Sequence, residues 1–88
     1  MAEKLKELRK EIDRVNSELL KILSNRGKIV SKIGELKRRK GIPLVDDDRE
    51  DEILKYIISK NEGPYSAEQI KNIFREILRQ SVDLQREE

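Results

Sequence analysis

From Leu5 to Leu36 the apolar residues recur at alternate spacings of three and four: Leu5, Leu8, Ile12, Val15, Leu19, Ile22, then Arg26, then Ile29, Ile33 and Leu36. A strand would need alternation by two, so this seam predicts one long helix with a heptad stripe. The helix should run from about Glu3 to Lys40. Glu3 and Glu7 complement its positive N-terminal end, the run "KRRK" at 37–40 complements its negative C-terminal end, and Gly41 with Pro43 stops it. One seam position breaks the apolar rule. Burying the Arg26 guanidinium without a partner is expensive, so either something anionic meets it or the seam is wet at that level.

The rest of the chain divides in the same way. The loop "GIPLV" leads to "DDD", whose aspartates can cap a second helix starting near Asp47, with Ile53, Leu54, Ile57 and Ile58 on one face and an end at "NEGP". Ser66 and Gln69 have capping-box spacing for a third helix, whose stripe is Ile70, Ile73, Phe74, Ile77 and Leu78. The expected fold class is therefore all-α, with one long and two shorter helices forming a single domain over residues 1–88. A helix of this length spans roughly 55 Å, whereas a compact chain of this size has a radius of gyration of only about 12 Å. Two short helices cannot cover so long a seam, and an intertwined helical homodimer is the economical arrangement.

Composition narrows the chemistry. Charged residues make up 43% of the 88 residues, and there is no Cys, His or Trp. The usual general base and the usual zinc and thiolate ligands are therefore missing, and no metal or cofactor site is expected. Absent cysteine fits a reducing compartment, and no apolar run approaches membrane-spanning length, so a cytoplasmic protein without membrane contact is expected. A formal charge of +2 is too small to argue for nucleic-acid binding, and "KRRK" lacks interleaved aromatics.

Several polar residues interrupt the apolar faces. On the seam alone, Arg26 is explained as well by a register-setting role as by an anion site. Lys37 lies about 16 Å further along the same face, where two long cations can lean toward one small dianion. Taken alone it is a solvated cation at a helix end. Ser81 and Gln85 continue the third helix's stripe seven residues after Phe74 and Leu78, where a fraying C-terminus is the blander account. Asp46, Arg49 and Glu50 cluster at the start of the second helix, where capping would suffice. Tyr56 and Tyr65 read as packing residues.

Together these residues carry a resemblance. The register "LRKEID…NRGKIVSKIGELKRRKG…DDDRED…SVDLQ" resembles the all-helical chorismate mutases over nearly the whole chain. That family's ligand set falls on Arg9, Arg26, Lys37, Asp46, Arg49, Glu50, Ser81 and Gln85 without a mismatch. The stretch "NEGPYSAEQIKNIFREI" is also similar to the version fused ahead of a DAHP synthase, so a synthase domain or partner is one expectation.

The resemblance implies rearrangement of chorismate to prephenate within one molecule, in phenylalanine and tyrosine biosynthesis. That reaction needs no nucleophile, metal or redox cofactor. By the same analogy Arg26 and a second-subunit Arg9 clamp the carboxylates, and Lys37 and Gln85 address the ether oxygen. Glu50, with the Asp46 region, takes the ring hydroxyl, while Arg49 and Ser81 complete the wall. Three other readings stand beside it. They are an isochorismate pyruvate lyase on the same fold, a chorismate- or prephenate-sensing regulatory domain, and a dimeric coiled-coil adaptor without a ligand.

Overall fold

The computed structural model describes residues 2–86, which form three α-helices: α1 (Ala2–Lys40), α2 (Asp47–Lys60) and α3 (Ala67–Arg86). No strand occurs among the described residues. Each helix boundary follows from the local sequence. At the end of α1, Gly41 takes φ of +67°, its N–H bonds the Arg38 carbonyl, and the Ile42 N–H bonds the Lys37 carbonyl at 2.9 Å. This Schellman hook satisfies carbonyls that the helix would otherwise leave open, and it needs a residue without a Cβ at the left-handed position. At the start of α2, Asp46 is the N-cap, its Oδ1 accepting the Arg49 N–H at 3.0 Å. The Ser66–Gln69 capping box forms as expected: Gln69 N–H donates to Ser66 Oγ at 3.1 Å, and Ser66 N–H donates to Gln69 Oε1 at 2.9 Å. The α2–α3 connection is held by Asn61, which accepts from Gly63 N–H and donates to the Tyr65 carbonyl.

α3 packs against both α1 and α2. The α1 residues that meet it, among them Arg26, Gly27, Gly34 and Arg38, lie in the C-terminal half of the long helix. The chain is accordingly extended, 58 × 27 × 15 Å with a radius of gyration of 16.5 Å. A compact chain of this size would have about 12 Å. The seam keeps its heptad spacing but stays uncovered over the N-terminal half of α1, where Leu5, Leu8, Ile12 and Val15 are about half-exposed. Among the described residues only Val30 and Leu78 are buried apolar side chains.

One expectation is corrected. Tyr56 and Tyr65 do not pack: both are exposed, and Lys60 Nζ lies 5.6 Å from the centre of the Tyr56 ring. Ile73 keeps its place on the apolar stripe of α3, although it is partly open to solvent. The end of α3 departs from its blander reading in the opposite sense. Gln85 is 8% exposed, so this turn is docked rather than frayed.

Candidate active site

The C-terminal half of α1, the start of α2 and the end of α3 enclose a cleft of about 420 Å³. Its walls are apolar over much of their extent, with Ile29, Val30 and Ile33 from α1, Ile53 from α2, and Leu78 and Val82 from α3. Set into these walls are Arg26, Lys37, Asp46, Arg49, Glu50, Ser81 and Gln85. Seven of the eight expected ligand residues thus meet in one place. Arg9 does not; it is exposed on the other half of α1.

The two cations from α1 are held differently. Arg26 is half-buried and donates through Nη1 to Ser81 Oγ at 2.5 Å; the Ser81 hydroxyl in turn donates to the Ile77 carbonyl at 2.7 Å. The serine commits its own proton to its helix and offers a lone pair to the guanidinium, which orients Arg26 without neutralising it. Lys37 is also half-buried, and its Nζ donates to the Leu44 carbonyl at 3.3 Å. The hook at Gly41 is what returns the chain close enough for that contact. Among the described residues no carboxylate lies within ion-pair distance of either cation. Two half-buried positive groups against apolar walls, each bonded only to neutral oxygens, make a site that favours an anion.

The acidic side of the cleft is mixed. Asp46 reaches it, but one of its oxygens is committed to capping α2, so the capping role expected of this cluster is filled. Glu50 is half-buried, and no hydrogen bond or ion pair to its carboxylate occurs among the described residues. Arg49 lines the cleft yet directs Nη1 toward Glu52 at 3.4 Å, a pair with both side chains more than 60% exposed. Such a pair is weak and screened by water, so it restrains the guanidinium little.

Gln85 closes the far wall. Its Nε2 donates to the Ser81 carbonyl at 3.3 Å, while its Oε1 is buried with no partner among the described residues. An amide nitrogen carries two hydrogens, so one remains for an acceptor in the cleft. The backbone of α3 can come this close to α1 because position 34 is glycine. A Cβ at Gly34 would stand 2.9 Å from Gln85 Cγ and 3.2 Å from its Cα, whereas one at Gly27 would meet only Leu84 Cδ2, at 3.4 Å. Sequence reasoning passed over Gly34. Its only signal was a glycine inside a strong helical pattern, where it costs helix propensity and invites a packing reason.

On the other side of Arg26 and Ser81, which border both spaces, a second groove of about 560 Å³ runs between α1 and α3. It is lined chiefly by Leu19, Leu23, Ile73, Ile77 and Leu84. Glu76, at its edge, is held below the ordinary carboxylate value, first by a hydrogen bond from Arg79 and then by one from Gln80; the Arg79 guanidinium is raised in return. Both groups are solvent-facing and lie outside the charged cleft. No helix among the described residues is long and apolar enough to cross a membrane.

Comparison with known proteins places these features in a family context. A family model described as chorismate mutase type II matches residues 8–86. A bifunctional chorismate mutase/prephenate dehydratase of Aquifex aeolicus is 39% identical over 88 residues, covering 96% of this chain and 24% of that protein. A chorismate mutase of Methanocaldococcus jannaschii is 38% identical over 60 residues, covering 68% of this chain and 57% of that protein. Thus the chain spans about a quarter of the bifunctional relative and little more than half of the second. Among solved structures, the form II chorismate mutase of Thermus thermophilus superposes with a TM-score of 0.91 at 45% identity, covering 93% of each chain.

Proposed function

We propose, on the premise that this chain belongs to the chorismate mutase type II family, that its three-helix cleft converts chorismate to prephenate. The observation that carries this reading is the convergence of Arg26, Lys37, Glu50 and Gln85 on one largely apolar cleft in which the two α1 cations lack a carboxylate partner among the described residues. The substrate is a dianion with two carboxylates, an ether oxygen and a ring hydroxyl. In its rearrangement the ether C–O bond breaks as a C–C bond forms, with electrons moving around a six-atom ring and no proton exchanged. The protein's task is to hold a compact conformer and to meet charge where it develops.

Arg26, already oriented by Ser81, grips one carboxylate in two-toothed fashion. Lys37 exchanges its long bond to Leu44 for the ether oxygen, which becomes more negative as the bond breaks, and Gln85 supplies its second N–H to the same atom. Glu50 accepts the ring hydroxyl beside Asp46, and Arg49 turns inward from its weak pair with Glu52. The second carboxylate is taken by Arg9 of a second copy. Pairing of two α1 helices antiparallel brings that residue to the cleft and covers the exposed leucines and isoleucines of the seam together with the apolar groove beside Arg26. On this reading the enzyme acts as a homodimer in the cytosol, in phenylalanine and tyrosine biosynthesis. A fused or docked synthase or dehydratase would draw on the same domain.

Chorismate and isochorismate offered separately to the purified protein test this reading. Prephenate from chorismate is expected. Pyruvate from isochorismate would instead make the protein a lyase, saturable binding without a product would make it a sensor, and no binding at all would leave a helical adaptor.

A finer expectation concerns Gln85, whose neutral amide donates at every working pH. A carboxylic acid in its place donates only while protonated. In so buried a position desolvation raises the carboxyl's pKa above its usual value of about 4.3, which extends activity upward in pH but not indefinitely. The rate of Gln85→Glu should therefore fall as pH rises toward and through neutrality while that of the parent stays nearly flat. Superimposable pH–rate profiles would remove Gln85 from the reacting oxygen.

A further inference from the structure

Arg38 stands in the basic run at the end of α1, and neither the expected ligand set nor the helix cap uses its side chain. It does not line the cleft. Its guanidinium instead crosses to α3 and donates through Nη1 to the main-chain carbonyl of Gln85. One turn earlier on the same face of α1 is Gly34, the buried glycine that admits the Gln85 backbone. Gly34 and Arg38 thus form a two-point seat for a single residue. The glycine leaves out the atoms that would hold α3 away, and the arginine holds it in place.

Such a seat is needed because of where Gln85 falls. It is the next-to-last residue of α3. The last four carbonyls of a helix have no partner within it, and terminal turns fray. The Ser81 carbonyl engages the Gln85 side chain only at 3.3 Å. A donor that must sit within about 0.5 Å of its working position is not held there by a loose last turn. A charge-assisted bond from the neighbouring helix supplies the missing restraint, and a cation at that end also suits the helix dipole.

We propose that Arg38 is a positioning residue: by binding the Gln85 carbonyl it fixes the last turn of α3 and so holds the Gln85 carboxamide in the cleft, without itself touching the bound molecule. Its kinetic consequence rests on the reading of the cleft as the chorismate site; its structural consequence does not.

Arg38→Met keeps the aliphatic stem and removes the donors, and Arg38→Lys restores one of them. In Arg38→Met, hydrogen exchange at the Leu84 and Gln85 amides should quicken about tenfold, the scale for losing one charged hydrogen bond, with exchange in α2 unchanged. With chorismate, kcat should fall about tenfold while KM moves little, and the lysine should recover part of the loss. In a Gln85→Ala background the same Arg38→Met change should cost less than about twofold, because the residue it positions is gone. Unchanged exchange at Leu84 and Gln85 would overturn the proposal. So would an undiminished loss of kcat in the Gln85→Ala background. If the parent protein does not turn over chorismate, the functional reading fails, and the exchange measurement alone decides the role of Arg38.

Discussion

With alanine at position 37, turnover of chorismate is expected to fall roughly 10²–10³-fold, the scale for removing one preorganised donor from a developing oxyanion. The size of the effect follows from the reaction's simplicity. No nucleophile or proton relay shares the work, so stabilisation of the ether oxygen falls on the few groups that can face it. Of these, Lys37 carries a full charge and sits against the apolar walls of Ile33 and Leu44, where that charge is poorly screened. The fold should hardly notice the change. The hook at Gly41 uses the main-chain carbonyl of residue 37, not its side chain, and the ammonium's contact with Leu44 is long. A melting curve close to the parent's beside a collapsed kcat is the expected pair of results. Near-normal turnover in a folded Lys37→Ala protein would sink the role assigned here.

The second large effect is expected from the two arginines that no single chain can bring together. Arg9 and Arg26 are seventeen residues apart on one helix, about 25 Å, too far to grip one small molecule. Arg9→Ala and Arg26→Ala should each be nearly inactive as homodimers. Mixed and refolded together, they form heterodimers in which one cleft takes Arg26 from the first variant and Arg9 from the second, while its twin has neither. Random pairing makes about half the dimers mixed, so independent sites should return roughly a quarter of the parent activity. No return, with subunit exchange verified by mass spectrometry, would reject a shared cleft.

What could be read in the sequence was set by local or strictly periodic physics. The three-and-four spacing from Leu5 to Leu36, the hook at Gly41 and the Ser66–Gln69 box depend on residues within a turn or two of one another, and each formed as expected; α1 begins one residue earlier than its first acidic residue implied. Arg26 and Gln85 were visible as polar entries on apolar faces, although their convergence was implied by resemblance rather than by spacing. The misses depended on what lies across space. Tyr56 and Tyr65 read as packing residues for want of any other role in the sequence, yet both are exposed in the fold. Arg38 looked like one more solvated member of "KRRK", and only the docking of α3 shows which carbonyl it meets.

The uncovered stripe on the N-terminal half of α1 has a consequence for how the molecule must be handled. A helical segment with nothing packed on it is held by backbone propensity alone, which is marginal in water. Under the proposed pairing, a second copy would supply what the single chain lacks, and the proportion of ordered protein would then be a matter of mass action, rising with concentration and eroding on dilution. Arg9 lies on that same segment. Its order and the completeness of the cleft would therefore be lost at the same dilution, and specific activity would track the association constant rather than any property of an individual chain.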